Sequence, residues 1–198
     1  MSASDARNAT DRTVIEGAKL KKDHRGLRRR PLYTPLAMAI ASGLALVLLL
    51  AWLVASWGST TVVLVRHAEQ VSGADDPALT GEGQAHASRL AEMLERAGID
   101  AIYVSQARRT RQTALPVAQA AGVEPREIPA DEVSRLARRL KWRHRGEVVL
   151  VVGHSNTVPS IAAELGVKIG VVEAEDYSGL WVISYSRLRG TRLLTLRY

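Results

Sequence analysis

The chain contains no cysteine, which excludes disulfides, thiolate metal sites and a cysteine nucleophile. Any exported part must therefore be stable without bridges. Internal repeats and low-complexity tracts are absent too, so a repeat array is excluded. A third absence is local. From Leu36 to Trp57 run 22 residues without a charge, including Leu44-Ala45-Leu46-Val47-Leu48-Leu49-Leu50. As a helix this stretch is long enough to cross a bilayer. A buried core helix would show a polar stripe, and none is present, so the pattern predicts a transmembrane helix at 36–57.

The flanks set an expected orientation. Lys19, Lys21, Lys22, Arg25, Arg28, Arg29 and Arg30 precede the span, while the first cation after it is Arg66. The positive-inside rule then keeps the N-terminus cytoplasmic and places everything after Trp57 outside the cytoplasm. A cleaved signal peptide has a shorter apolar region ending in a small-x-small site, for which only Ser56-Trp57-Gly58 stands in. Arg29-Arg30-Pro31-Leu32-Tyr33 loosely resembles a twin-arginine signal, but the span after it is very apolar for one. The expectation is a single-pass signal anchor in the cell membrane. It would have a basic, disordered tail at 1–35, the span at 36–57 and a globular domain at 58–198.

The formal net charge of +7 invites a nucleic-acid partner, and its distribution removes that support. Residues 1–35 hold 9 Lys/Arg against 4 Asp/Glu, leaving 18 against 16 in residues 58–198. The excess belongs mainly to the tail, where it favours an anionic inner leaflet. No nucleic-acid partner is expected.

The apolar fraction of 46% suffices for a core. After the short link Gly58-Ser59-Thr60 comes an apolar strand near 61–65. A helix then starts at Thr80 and Glu82 and carries Ala87, Leu90, Ala91, Leu94 and Ala97 on one face until Gly98. A strand at 101–104, a helix at 109–121 stopped by Gly122, and an extended piece at 124–128 follow. Next come a helix at 131–143 with Val133, Leu136, Ala137 and Leu140 on its apolar face, a strand at 148–152 and a helix at 157–165. Leu180–Ser184 and Arg192–Leu196 around Arg189-Gly190 predict a terminal hairpin. Strands alternating with helices imply an α/β three-layer sandwich with a mainly parallel central sheet.

In such a sheet ligands are held at the C-terminal strand ends. Val62-Val63-Leu64-Val65 ends on Arg66-His67, the strand at 101–104 leads to Arg108, Arg109 and Arg111, and the strand at 148–152 ends on Gly153-His154. Two arginines and two histidines around one cleft suit a dianion, because guanidinium forks match phosphate oxygens. A neutral imidazole can attack phosphorus, and the cationic surround would stabilise the transferring group without a metal. Singly, each residue reads as a surface loop, a solvated helix face or a structural histidine; their equivalent placement at strand ends makes that the weaker reading. His24 in the tail, His86 among alanines and His144 beside Arg143 and Arg145 take the structural or surface reading.

Four ordered stretches carry a family resemblance: Val65-Arg66-His67-Ala68-Glu69, Leu79-Thr80-Gly81-Glu82-Gly83-Gln84-Ala85, Ser105 through Arg109-Thr110-Arg111-Gln112-Thr113-Ala114, and Gly153-His154-Ser155. In order and spacing they resemble the histidine phosphatase (phosphoglycerate mutase-like) superfamily, over about residues 60–198. The resemblance implies the phosphoglycerate mutase-like fold, a phosphohistidine intermediate on His67, phosphate-holding roles for Arg66, Arg109 and His154, and no cofactor or metal. Where the family often has Ser-Pro-Leu before its second arginine, this chain has Ser105-Gln106-Ala107-Arg108, so Arg108 and Arg109 both remain open as the inward residue. Ala68 replaces a commoner glycine. The insertion that carries the general acid of the mutases is largely missing, which favours a phosphatase of the small branch and leaves the proton donor unassigned. Glu69, Asp131 and Glu132 are the nearest carboxylates, and each reads first as a surface or capping residue.

Strand, Gly153-His154-Ser155-Asn156-Thr157 and helix also resemble the nucleophile elbow of serine hydrolases, but the last position is not glycine. That fold needs a histidine after the serine in chain order, and none follows His154. The expected substrate is a phosphorylated small molecule, with an envelope phosphosugar favoured by the predicted export. A phosphoprotein phosphatase of the phosphohistidine type and a phospho-ligand binding module without turnover are the rivals. Oligomeric state has no signature in the sequence.

Overall fold

The computed structural model describes residues 33–56, 58–186 and 189–198. Most of the basic tail, including His24, and Trp57 at the end of the expected span lie outside them. Helix α1, Tyr33–Ser56, contains the charge-free stretch up to Ser56. Its segment Pro35–Leu53 has a mean hydropathy of 2.5 and is wholly unburied, so it is long and apolar enough to cross a membrane.

The remaining elements alternate. Strand β1 (Thr60–Arg66) precedes helix α2 (Gly81–Leu94), β2 (Ile99–Val104) precedes α3 (Arg108–Ala121), and the short β3 (Pro125–Glu127) precedes α4 (Val133–Arg143). Then β4 (Val148–Gly153), α5 (Thr157–Glu164), β5 (Gly179–Ser186) and β6 (Gly190–Arg197) complete the chain. One six-stranded sheet has the order β3-β2-β4-β1-β5-β6. Its first four strands are parallel, while β5 runs antiparallel to β1 and β6 antiparallel to β5.

Side chains alternate across β1, so the two faces of one strand feed two cores. Val62 and Leu64 join Leu136, Leu140 and Ile161 of α4 and α5; Val63 and Val65 join Leu90, Ala114 and Val117 of α2 and α3. Helices on both faces of the sheet make a three-layer α/β sandwich. Both cores are needed because β1, β2 and β4 are buried on both sides, which is why they read as apolar runs rather than alternating ones.

Two boundaries differ from the periodicity. Helix α2 ends at Leu94 rather than running to Gly98: the Ala97 amide bonds back to the Leu94 carbonyl, and Gly98 at φ +64° turns the chain directly into β2. Helix α4 begins at Val133, because Pro129 to Glu132 close a turn through the Glu132 amide and the Pro129 carbonyl.

Candidate active site

The C-terminal ends of β1, β2 and β4 bring the motifs together. Strands β1 and β4 pair in register from Thr61–Val148 to Arg66–Gly153, and the His67 amide donates to the Gly153 carbonyl at 3.0 Å. The register puts the two histidine motifs side by side: the His67 and His154 ring centres lie 5.4 Å apart at 63°. Gly153 must be small, since a Cβ there would meet Thr157 Oγ1 at 2.8 Å and Val158 Cγ2 at 3.1 Å.

His67 is 4% exposed. Its Nδ1 lies 2.8 Å from the Ala68 carbonyl oxygen, which can only accept, so Nδ1 carries the proton and Nε2 keeps its lone pair. The next amide, Ala68, donates to Thr113 Oγ1 at 3.0 Å, and that hydroxyl donates to the Arg109 carbonyl at 2.8 Å. Helix α3 is thereby tied to the loop that carries His67.

The Arg66 guanidinium is 4.2 Å from the Tyr177 ring centre, and its Nη1 donates to the carbonyls of Glu173 (2.8 Å) and Ala174 (2.7 Å). Arg109 and Arg108 part ways. Arg109 Nη2 donates to His154 Nδ1 at 3.3 Å, whereas Arg108 is exposed and its amide is capped by Asp76 Oδ1 at 2.8 Å. An arginine can only donate, so His154 Nδ1 accepts and its Nε2–H donates to Ser105 Oγ at 2.9 Å.

Electrostatics keep both imidazoles neutral at ordinary pH. Burial, followed by repulsion from Arg66, Arg109 and His154, pulls His67 down to about 4 against the raising effect of its bond to Ala68. Burial, then Arg109 and Arg66, pulls His154 down to about 4 as well. A neutral imidazole among two guanidiniums has a free lone pair beside groups that can hold an anion. Among the described residues no three His, Asp or Glu side chains gather to hold a metal ion.

The three carboxylates separate. Glu69 turns toward buried His86, whose Nδ1–H reaches its oxygens at 3.0 and 3.1 Å. Asp131 is exposed. Glu132 borders a mostly apolar recess with Ser105, Ile128 and His154, and Arg135 holds its carboxylate at 2.5 Å. His67 is not part of that recess. His144 is buried between Tyr103 OH (2.8 Å) and Glu147 (2.6 Å), a structural histidine at the other end of β4. Tyr177, Ser105 and Thr113 also belong to the assembly and carried no function in the sequence reading. Ser105 and Thr113 stand inside the arginine stretch, where their placement at a strand end and one turn after Arg109 was available as a signal. Tyr177 had none.

With this geometry the comparisons agree. The family model of the histidine phosphatase superfamily (branch 1) matches residues 62–130. Among solved structures, the protein histidine phosphatase SixA complexed with tungstate superposes at a TM-score of 0.59 with 19% identity, over 69% of this chain and 96% of that one. An Agrobacterium tumefaciens protein described as a phosphohistidine phosphatase SixA gives 0.52 with 27% identity, over 70% and 98%. The mycobacterial glucosyl-3-phosphoglycerate phosphatase gives 0.56 with 16% identity, over 71% and 98%. A search of curated proteins finds no match. Residues 62–130 thus carry the pattern of the histidine phosphatase superfamily, and the chain shares its fold with the solved structures above. The three solved proteins are described as phosphatases, and their fold has the mixed α/β sheet described above.

Proposed function

We propose that the chain is a membrane-anchored, metal-independent phosphatase that works through a phosphohistidine on His67. The observation that carries this reading is the tautomer of His67: its Nδ1–H is spent on the Ala68 carbonyl, which leaves Nε2 as the nucleophile. Nε2 attacks phosphorus as the P–O ester bond breaks, and the leaving oxygen takes its proton from solvent water. Water then attacks phosphorus, the P–N bond breaks, and phosphate leaves with both water protons while Nε2 recovers its lone pair and the imidazole is neutral again. Arg66 and Arg109 hold the phosphoryl oxygens through both steps, and His154 joins them by turning its single N–H from Ser105 to the phosphoryl group. Removing one such well-placed donor costs roughly 10²–10³ in rate.

Helix α1 supports the anchor by length and hydropathy, and the Lys/Arg bias before it favours a catalytic domain outside the cytoplasm. That placement favours an envelope phosphoester or phosphosugar as substrate. A phosphoprotein is the second reading, supported by the 27% identity to the protein described as a phosphohistidine phosphatase.

Full-length protein in detergent should release phosphate from an aryl phosphate, and enzyme quenched during turnover should carry alkali-stable, acid-labile label on His67. His67→Ala should lose both. Equal inactivity of the wild type and His67→Ala across a panel of phosphoesters would rule the reading out.

A further inference from the structure

The end of the domain opposite the catalytic cleft has a charge pattern that the phosphatase reaction does not use. Residues 138–145, the last turns of α4 and the turn after it, contain five Lys/Arg and no Asp or Glu. Arg139 and Arg143 from this helix join Arg126 of β3 around one polar cavity near the start of β2 and β4. The two acids there are already committed: Asp100 Oδ2 accepts the Val148 amide at 2.8 Å, and Glu147 accepts from His144 at 2.6 Å. Neither Arg126, Arg139 nor Arg143 has an ion-pair or hydrogen-bond partner among the described residues. Trp142, 60% exposed, stands between Lys141 and Arg143 in the same turn.

This basic end is also where the chain enters the domain. Gly58 packs against Gly146 so closely that a Cβ on it would come 2.7 Å from the Gly146 Cα, and the Thr61 amide donates to the Glu147 carbonyl at 2.9 Å. Ser56, the last residue of α1, precedes Thr60 by four residues, a reach of at most roughly 14 Å. Strand β1 then carries the chain about 20 Å to Arg66 at the cleft.

We propose that Arg126, Arg139, Arg143 and Trp142 form a docking surface for the headgroups of anionic phospholipids, seating the domain on the bilayer with its catalytic cleft turned away from it. The proposal rests on the anchoring read from α1. Guanidiniums without partners among the described residues match lipid phosphates, and an exposed tryptophan among cations suits the headgroup layer. The tether brings this surface, rather than the cleft, to the membrane first.

The absence of cysteine makes the test direct. Arg145→Cys at the basic end and Ser72→Cys on the exposed loop beyond β1 each carry one fluorophore, in full-length protein reconstituted into nanodiscs with acceptor-labelled headgroups. With phosphatidylglycerol mixed into phosphatidylcholine, energy transfer from residue 145 should exceed that from residue 72. The excess should vanish in phosphatidylcholine alone. It should also vanish with Arg126→Gln, Arg139→Gln and Arg143→Gln together, which lower the docking equilibrium constant roughly fivefold each and about a hundredfold jointly. Activity of that triple variant on a soluble aryl phosphate should stay unchanged, which also establishes that it folds. Equal transfer from both positions, or an excess indifferent to lipid charge and to the arginines, would overturn the docking surface. An alkaline wash separates the two failures: release of the chain overturns the anchor and the docking together, and retention with equal transfer overturns the docking alone.

Discussion

Tyr177 places its ring 4.2 Å from the Arg66 guanidinium and 6.0 Å from the His67 ring, so one aromatic side chain supports both the cation and the nucleophile. Such a cation–π contact is worth about 0.5–2 kcal/mol. Tyr177→Ala should therefore lower kcat/KM roughly 2- to 30-fold, while Tyr177→Phe, which keeps the ring, should stay close to wild type. Steady-state kinetics on an aryl phosphate checks both. Arg66, His67 and His154 could be picked out in the sequence because charged residues ending apolar strands are conspicuous. Tyr177 could not, being 110 positions from His67 in a loop without periodicity or motif. The groups that hold Arg66 and set the His67 tautomer are backbone carbonyls, which every residue possesses. Choosing between Arg108 and Arg109 likewise required the helix start that caps one and aims the other.

At the scale of elements, α2 and the loop after β1 meet at Gly83. A Cβ there would lie 2.2 Å from the Glu69 carbonyl oxygen, a backbone atom that cannot swing aside. That same oxygen accepts the Thr80 amide at 2.9 Å, so the helix cap and the nucleophile's loop share one contact. Gly83→Ala should destabilise the domain by about 1–3 kcal/mol, seen as a lower midpoint in chemical denaturation. Activity should fall with it, because Glu69 is two residues from His67. The helices themselves were legible from spacing and glycine stops: α3 ends at Gly122, φ +66°, as its pattern demanded. Strand neighbours were not. Nothing in the apolar runs of β1 and β4 tells that β5, from the terminal hairpin, inserts antiparallel beside β1 and carries β6 as the edge on that side of the sheet.

For the whole molecule the consequence is a pH dependence with a definite sign. In the folded state His67 and His154 bind protons only near pH 4, while in the unfolded chain they do so near their ordinary 6.5. Between these values the unfolded state holds more protons, so stability falls as pH is lowered from 6.5 toward 4 and levels off below. Ring-proton NMR of the two histidines should show midpoints near 4, and thermal unfolding should drop across the same window. Histidines titrating near 6.5 in the folded protein would contradict the buried, cation-flanked geometry.

The fixed tautomer of His67 also reaches into stereochemistry. In the proposed reaction, with Nδ1 held against the backbone and the ring buried, only Nε2 would meet phosphorus, and the departing oxygen would leave from the position opposite that nitrogen. The incoming water has to occupy the same apical position in the second step. Each displacement inverts the phosphorus centre, so a route through Nε2 returns phosphate with its configuration retained.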